Sequence, residues 1–416
     1  MNGLKAGCSR STKVEPHRNY SWTSQEFLQS SKIEEMKIVL IGNYPADGQT
    51  SMLRYASFLQ RELGNAGHHV RLISPSSILI RCFRSRRRLS KWLGYIDKFV
   101  FFKLRLMRLI GDADVVHVCD HSNAMYLANV QSIPKLITCH DALAIRSALG
   151  HYPKNPISRS GRVLQSWIYK SLGHADRIIY VSNKTRFDFE ELLGVKVPAD
   201  TIRHALNWPY SPATPIEVDA LLRQLGLKKH GYIIHVGGNP WYKNRPGVLQ
   251  MFLRLRTYDR FHPMKLVMVG KPLPNELHDW CHANGLNDLI ELQDLNNEQL
   301  RILYTGAFAL LFPSFEEGFG WPILEAQACG CPVITSNRGP MTEIAGEGAK
   351  FVDPEEPETI MDAALACEEE RLDLVDSGFR NVARFALNQV VRSYEEAYRA
   401  AITSGGQSVE NMTGNS

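Results

Sequence analysis

Short, continuous apolar runs alternate with amphipathic stretches along most of the chain. One such run, Lys37–Ile41, is followed by Gly-Asn, a loop, a helical pattern and a further run. The run at 232–237 opens the second half in the same way, again followed by Gly-Asn. Apolar runs of this length indicate strands buried on both faces, and their alternation with helices indicates parallel sheets. The pattern therefore predicts an α/β fold with two doubly wound, Rossmann-like domains.

The same pattern predicts the remaining elements. A helix is expected at 51–63, with one buried face and with Gly64 as its cap. Further strands are expected at 70–73, 114–118, 135–139, 175–182, 265–270, 290–295, 307–312 and 332–335. An amphipathic helix is expected at 382–401.

These elements predict the limits of the domains. Residues 1–35 are polar and lack the apolar core of a signal peptide, so a disordered leader is expected. The first domain is expected at 36–208 and the second at 209–402, with a hinge near Pro209. The polar residues 403–416 are expected to form a disordered tail.

Composition excludes several classes of protein. Of 416 residues, 44% are hydrophobic and 22% charged, as in ordinary globular proteins, and the net charge of +5 does not suit a general polyanion binder. The eight cysteines are scattered, which argues against a structural zinc site or a disulfide scaffold. No apolar run approaches the roughly 18 residues that cross a bilayer. A reduced, cytoplasmic location is the simpler interpretation.

One segment, residues 78–110, is unusually basic and aromatic. Ten lysines and arginines are accompanied by a single acid, Asp97. Basic residues interleaved with aromatic ones suit an anionic membrane surface. An ordinary helix pair with a solvated basic face is equally compatible with the pattern. Nucleic-acid binding is a weaker third choice, because no nucleic-acid-binding motif surrounds the segment.

The central candidate site is the stretch at 312–340, which reads FPSFEEGFGWPILEAQACGCPVITSNRGP. A strand is followed by a glycine loop, by a helix at 323–329 and by another strand. Glu317 precedes the glycines, and Glu325 lies in the first helical turn, with seven residues between them. A helix N-terminus attracts anions such as phosphate, and carboxylates accept hydrogen bonds from sugar hydroxyls. Because a nucleotide sugar carries both kinds of group, the stretch suits such a ligand. An ordinary surface loop, with Glu325 complementing the helix dipole, is the alternative.

A second candidate lies at the end of the strand at 135–139, where His140 and Asp141 follow directly. The carboxyl end of a strand is the ligand side of an α/β sheet. His140 suits a general base or a hydrogen bond to a sugar hydroxyl, whereas an isolated histidine is more often a packed polar residue. Asp141 is expected to orient the loop.

The stretch from Glu317 to Val333 resembles the retaining glycosyltransferases of family 4, which have the GT-B fold. It matches their pattern E-G-F-G-x-P-x-x-E-A-x-A-x-G-x-P-V without gaps. The resemblance implies that Glu317 contacts the donor sugar and that Glu325 contacts the ribose of the nucleotide. It also implies that the loop residues bind the donor, and these are Gly318, Phe319 and Gly320.

Other positions extend the resemblance. The family pattern T-x-H-D is met at residues 138–141, which implies that His140 faces the donor sugar. The family's R-K-N loop, which holds the donor diphosphate, is met here by Tyr242, Lys243 and Asn244, so an arginine is missing. Lys243 is the implied phosphate ligand, and Arg245 is left open as a substitute for that arginine. Gly238 is also implied in donor binding, and Gly48 in the first loop stands where a Gly-Gly pair is usual.

The resemblance implies two domains facing each other across a cleft, with the acceptor on the first and the donor on the second, and a terminal helix that crosses back. It implies transfer of a hexose, from a donor of the GDP-mannose or UDP-glucose type, to a glycan or lipid-linked acceptor. No metal or other cofactor is expected, because the Asp112-Ala113-Asp114 sequence precedes a strand, away from the ligand edge. A non-catalytic sugar-nucleotide-binding protein, a GT-B epimerase and a phosphorylase are the alternatives. A cytoplasmic protein, peripheral at the inner face of the membrane, is expected.

Overall fold

Two parallel six-stranded sheets form the framework of the protein in a computed structural model. The structure describes residues 34–77, 79, 90–153, 155–286 and 289–413. Most of the predicted leader and part of the basic segment at 78–110 lie outside the described residues. The apolar runs are strands, and alternate residues of a strand enter different cores: Val39 and Leu40 pack on opposite faces of the first sheet. Burial on both faces explains why these strands read as continuous apolar runs.

The strands of the first sheet run from the start of the chain to the middle, and they pair in the order β2-β1-β3-β4-β5-β6. They are β1 (Lys37–Ile41), β2 (His69–Ile73), β3 (Val115–Val118), β4 (Lys135–Cys139), β5 (Arg177–Tyr180) and β6 (Ala199–Thr201). All their pairings are parallel, so every carboxyl end meets the same edge.

The second sheet has the strand order β12-β11-β10-β7-β8-β9, again wholly parallel. Its strands are β7 (Tyr232–Val236), β8 (Lys265–Val269), β9 (Leu289–Leu292), β10 (Ala309–Phe312), β11 (Val333–Ser336) and β12 (Ala349–Val352). The order reverses between β7 and β10, and ligands of doubly wound sheets bind at such a switch point. The predicted α/β fold with two Rossmann-like, doubly wound sheets is confirmed.

Helices connect the strands and cover the sheets. They are α1 (Thr50–Asn65), α2 (Ser90–Ile96), α3 (Lys103–Ile110), α4 (Leu143–Ala148), α5 (Arg159–Ser171), α6 (Asn183–Phe187), α7 (Pro215–Gln224), α8 (Arg245–Leu255), α9 (Asn275–Ala283), α10 (Asn297–Gly306), α11 (Trp321–Ala328), α12 (Met341–Ala345), α13 (Ile360–Glu369), α14 (Arg371–Ala383) and α15 (Leu387–Thr413). A π-helical stretch, Asp97–Phe102, joins α2 to α3. None of the described helices is both long and apolar enough to cross a bilayer.

The last helix, α15, packs on the first sheet. Its residues Tyr394 and Tyr398 are buried in the core that also holds Leu40 and Leu136. The Tyr394 hydroxyl lies 2.7 Å from the hydroxyl of Tyr55, and several shorter apolar side chains of the same helix complete the contact. The chain therefore returns to the first domain after completing the second.

Some predicted boundaries were wrong. Gly64 lies inside α1, and the left-handed position after this helix is taken by Gly67, with φ +98°. The predicted terminal helix is interrupted, because α14 ends at Ala383 and α15 begins at Leu387. The helix also continues to Thr413, through most of the predicted tail, since each added residue of an existing helix gains a hydrogen bond without a new nucleus.

Candidate functional site

The loop between β10 and α11 lies at the carboxyl edge of the second sheet, beside the switch point. Gly320 begins the helix with φ +104°, a left-handed conformation that favours glycine. Pro322 follows in the first helical turn, where its missing N–H costs nothing. This geometry fixes the loop that carries Glu317 and the helix that carries Glu325.

Glu317 and Lys243 form the charged pair of the site, although 74 residues separate them. The Lys243 ammonium donates to Glu317 Oε1 at 2.6 Å, and the Ser314 hydroxyl donates to the same oxygen at 2.9 Å. Lys243 Nζ also lies 4.9 Å from the centre of the Phe312 ring. The two residues implied to contact sugar and phosphate therefore meet at the ends of β7 and β10.

Glu325 occupies a different environment, buried at the start of α11. Its Oε2 accepts a hydrogen bond from the Tyr304 hydroxyl at 3.1 Å. Burial raises the pKa of Glu325 to about 7, while the Tyr304 hydrogen bond and the charges of Arg54 and Lys243 oppose the shift. Arg54 belongs to α1, so a cation of the first domain faces this carboxyl group.

His140 is buried at the carboxyl end of β4. Its Nε2 donates to the Cys119 carbonyl oxygen at 2.8 Å, and its ring stacks on His204 at 5.3 Å. Burial lowers the pKa of His140, with Asp120 opposing the shift, so the ring is neutral near pH 7. Asp141 accepts a hydrogen bond from Leu143 N at 2.9 Å and thereby holds the turn into α4.

Gly318 brings the two domains into direct contact. A Cβ at this position would lie 1.9 Å from the carbonyl oxygen of His140, so only glycine fits. The Gly318 carbonyl accepts hydrogen bonds from the hydroxyls of Ser182 (2.8 Å) and Thr185 (3.2 Å) in the first domain. The family resemblance implies that this glycine binds the donor, and in the structure it contacts the first domain.

Three other predicted positions have different surroundings in the structure. The Phe319 ring is buried against His204, at 4.9 Å, so only the backbone of Phe319 is available. The Asn244 side chain caps α8 through Gly247 N and donates to two proline carbonyl groups, so its amide is occupied by the fold. Gly48 has φ +67° in a turn, and no atom lies within 4 Å of a Cβ built there.

The remaining predicted positions are Gly238, Asp112 and Asp114. A Cβ built on Gly238 would meet only Pro240, at 3.4 Å, so the backbone after β7 is open. Asp112 and Asp114 both bind Lys37 at the amino edge of the first sheet, opposite the ligand edge. Among the described residues, no group of three or more His, Cys, Asp or Glu side chains is placed to hold a metal ion.

Arg245 is a site residue that the sequence analysis left open. The side chain is 2% exposed, and Nη1 donates to Asn239 Oδ1 and to the Lys271 carbonyl at 2.7 Å. Its Nε and Nη2 have no hydrogen-bond partner in the structure, and no described carboxylate pairs with it. Burial lowers the pKa of Arg245, and the charge of Glu291 opposes this shift. Its buried charge lies beneath the loops that follow β7 and β8.

Comparison with known proteins agrees with this geometry. Residues 218–378 match the family described as Glycosyl transferases group 1, and residues 52–207 match Glycosyltransferase Family 4. O-antigen chain mannosyltransferase B of Escherichia coli is 28% identical over 276 residues, 63% of this chain and 67% of that protein. The D-inositol 3-phosphate glycosyltransferase of Corynebacterium kroppenstedtii is 23% identical over 301 residues, 67% of this chain and 64% of that protein.

Solved structures show the same fold. Sucrose-phosphate synthase of Thermosynechococcus elongatus superposes with a TM-score of 0.68 at 17% identity, covering 89% of this chain and 100% of that one. HepE of Anabaena, solved in complex with UDP-glucose, gives a TM-score of 0.68 at 15% identity, covering 88% of this chain and 100% of that one. These likenesses show that the chain has the GT-B fold. The two family matches, which together span both halves of the chain, show that it belongs to glycosyltransferase family 4.

Proposed function

We propose that this protein is a retaining hexosyltransferase. It would move a hexose from a nucleotide diphosphate sugar, of the GDP-mannose or UDP-glucose type, to a hydroxyl of a glycan or lipid-linked acceptor. The observation that carries the proposal is the Lys243–Glu317 pair, held at the switch point of the second sheet, in a loop that touches His140 of the first domain.

The charged pair suits a donor with a diphosphate next to a sugar. Lys243 is held by a carboxylate in the described structure, and a diphosphate would compete for the same ammonium group. Glu317 would then be free to accept hydrogen bonds from sugar hydroxyls. Glu325, one turn into α11, would accept hydrogen bonds from the ribose.

Arg245 supplies a second cation in this proposal. A buried guanidinium without a carboxylate partner is costly, and the cost falls when a negative charge comes close. The diphosphate of the donor is the anion expected at the loops after β7 and β8, directly above Arg245. Arg245 would therefore act from beneath the loop and compensate for Tyr242, which replaces the usual arginine.

The reaction breaks the bond between the anomeric carbon and a diphosphate oxygen and forms a bond to the acceptor oxygen. The acceptor proton passes to the departing diphosphate. The departing charge is stabilised by Lys243, Arg245 and backbone N–H groups, so no metal is required in this mechanism. His140, neutral because of its burial, hydrogen bonds a sugar hydroxyl without opposing the positive charge that develops at the anomeric carbon.

Two lines of evidence support the donor and acceptor classes. The relatives named above are a mannosyltransferase acting on O-antigen chains and an inositol phosphate glycosyltransferase, and HepE was solved with UDP-glucose. The basic segment at 78–110 favours an acceptor at a membrane, with the protein peripheral at the inner face. Each Lys or Arg near an anionic surface contributes about 1 kcal/mol to such binding.

The proposal is tested first by thermal unfolding with a panel of nucleotide sugars. A ligand at about 100 times its dissociation constant stabilises a protein by about 2.7 kcal/mol. One donor should stabilise the native protein, fail to stabilise Lys243→Ala, and still stabilise Lys196→Ala, which alters an exposed lysine at the amino end of β6. Stabilisation by no donor, or equal stabilisation of all three proteins, would contradict the proposed site.

Turnover then separates the proposal from its alternatives. Incubation of the identified donor with candidate glycan and lipid-linked acceptors should release the nucleoside diphosphate and form a product whose anomeric configuration, read by NMR, matches that of the donor. A sugar nucleotide bound but never consumed would favour a non-catalytic binding protein. A donor whose sugar is converted without an acceptor would favour an epimerase.

A further inference from the structure

Two helical segments of the first domain lie side by side on the surface of the protein. The first, residues 93–110, comprises the end of α2, the π-helical stretch and α3, and the second is α5 (Arg159–Ser171). The Phe99 and Trp167 rings, one from each segment, lie 5.3 Å apart, and Lys103 Nζ lies 5.7 Å from the Trp167 ring. The basic and aromatic pattern of the sequence indicates the first segment but not α5.

Large hydrophobic side chains are exposed along both segments. Of the sixteen exposed large hydrophobic residues in the described part of the chain, seven lie on these two segments. Leu104 is 76% exposed and Val163 is 71% exposed. The seven are Ile96, Val100, Phe101, Leu104, Met107, Val163 and Trp167. Such a concentration is unusual for a monomer in water and indicates an interaction surface.

The charge of the two segments is almost wholly positive. Between them they carry seven basic residues, which are Lys98, Lys103, Arg105, Arg108, Arg159, Arg162 and Lys170. Their single acid, Asp97, is buried and accepts a hydrogen bond from the Tyr44 hydroxyl, and Lys98 pairs with Asp47 of the first loop. Arg105, Arg108, Arg159 and Arg162 are exposed beside the apolar residues.

We propose that this basic and apolar face, formed by residues 93–110 and α5 together, binds an anionic lipid bilayer. Its apolar side chains would enter the boundary between head groups and acyl chains, while its arginines and lysines bind lipid phosphates. A second copy of the chain is a poorer partner for this face, because the seven basic residues of one copy would repel the seven basic residues of the other. A nucleic acid is also poorer, because Leu104 and Val163 would face phosphate instead of an apolar phase.

The position of α5 relates this face to the cleft, an extension that rests on the proposed function. A cavity of about 200 Å³ is lined by Arg162 of α5, by Leu149, which is 57% exposed, and by Tyr152. The Tyr152 ring lies 5.1 Å from that of Trp241, in the loop that carries Lys243. A lipid-linked acceptor held in the bilayer would thus enter the cleft beside Tyr152, through the side of the first domain.

The test is co-sedimentation of the full chain with vesicles of phosphatidylcholine, alone or with 30% phosphatidylglycerol. We expect binding to the anionic vesicles only, weakened at least tenfold by 0.5 M salt. Leu104→Ser/Val163→Ser should weaken it at least tenfold, and so should Arg105→Glu/Arg162→Glu. Ile216→Ser/Leu372→Ser, which alters two equally exposed residues elsewhere, should bind as the native protein does.

Vesicles that carry bromine-labelled acyl chains locate the face directly. They should quench part of the tryptophan fluorescence, and that part should disappear in Trp167→Phe. Failure of the protein to sediment with anionic vesicles would overturn the proposal. Vesicle binding that is unchanged in the variants of this face would overturn it as well. A dimer in solution that Leu104→Ser/Val163→Ser dissociates would assign the face to a second copy instead.

The outcome is independent of the proposed transferase activity. Leu104→Ser/Val163→Ser should keep native donor stabilisation and native transfer to a water-soluble acceptor, because neither residue belongs to the donor site or lines the cavity beside Tyr152. Loss of donor stabilisation in Lys243→Ala, with vesicle binding unchanged, would complete the separation of the two functions.

Discussion

The carboxyl edges of the two sheets face the same cleft but differ in how their polar groups are held. Near the first edge, His117 Nε2 and Tyr55 both hydrogen bond the Thr138 hydroxyl, at 2.8 and 3.0 Å. The buried Asp120 carboxylate, just after β3, accepts hydrogen bonds from the side chains of Asn43 and Ser122. At the second edge, Lys243 and Glu317 form an ion pair. The polar groups of the first edge therefore hydrogen bond to one another. The second edge holds an ion pair whose charged groups a ligand could bind.

The difference shows how one fold, used twice, can serve two partners. Neutral groups can be buried when hydrogen bonded, and burial lowers the pKa of His117 to about 3 and lowers that of His204 as well. The second edge leaves Arg245 without a carboxylate and holds Glu325 near its titration point. This division supports the proposed placement of the charged donor on the second domain and of a neutral acceptor hydroxyl on the first.

The largest loss of transfer activity is expected from a substitution at Gly318, where the two edges are in contact. Gly318→Ala places a Cβ 1.9 Å from the His140 carbonyl, so the loop of Glu317 must move away from the first domain. We expect kcat/KM for transfer to fall at least 100-fold, about 2.7 kcal/mol. Gly64→Ala is the matched control, since no atom lies within 4 Å of its Cβ and its position is helical, and it should keep native activity. Activity within threefold of native for Gly318→Ala would mean that the contact is dispensable.

The first edge should lose stability in acid because of His117. His117 has a folded pKa of about 3, below its ordinary value of 6.5, so its contribution to stability is present above pH 6.5 and is lost as pH falls towards 3. Between pH 6.5 and 4 this residue alone should cost about 3 kcal/mol. Urea unfolding across that range should show a shallower pH slope for His117→Gln than for the native protein. An identical slope would mean that His117 is protonated in the folded state.

At the second edge, Glu325 should change the stability of the protein in the opposite direction as pH falls. Glu325 has a folded pKa of about 7, above its ordinary value of 4.5, so the stability it contributes in acid is lost as pH rises through 7. The expected loss between pH 5.5 and 7.5 is about 2 kcal/mol. Glu325→Gln removes the titration, and its unfolding free energy should exceed that of the native protein increasingly over this range. A difference that does not change with pH would contradict the raised pKa.

The smallest effect is expected from substitutions of Asp141. They test whether its carboxylate takes part in the reaction or only holds the loop at the first edge. Asp141→Ala loses the acceptor for Leu143 N and should lower the unfolding free energy by about 1 kcal/mol. Asp141→Asn keeps an oxygen acceptor at this position, so it should retain most of that stability and transfer activity within a few-fold of native. A 100-fold loss of activity in Asp141→Asn would assign the carboxylate a part in the reaction.

Much of the fold and the site could be predicted from sequence, because parallel strands share one carboxyl edge. The meeting of Lys243 with Glu317 follows from two loops that leave neighbouring strands. The uses of Asn244 and Phe319 could not be predicted, because whether a loop side chain faces the cleft or the core depends on the packing of distant elements. For the same reason, a contact between domains could not be distinguished from a ligand contact at Gly318.

The sequence does contain a signal that points to Arg245 as a site residue. A second basic residue lies two positions after Lys243, in a loop that lacks the usual arginine. Sequence could identify that coincidence but not the burial of the side chain, which requires the loops after β7 and β8 to close over it.

The return of α15 to the first sheet has a consequence for how the protein is made. The hydrogen bond between Tyr55 and Tyr394 joins residues 339 positions apart. The first domain emerges first from the ribosome, yet one face of its sheet, which α1 covers only in part, is not fully covered until the helix at Leu387–Thr413 has been synthesised. Contacts of such long range form slowly and leave apolar surface exposed meanwhile, so the nascent first domain should depend on chaperones until translation is nearly complete.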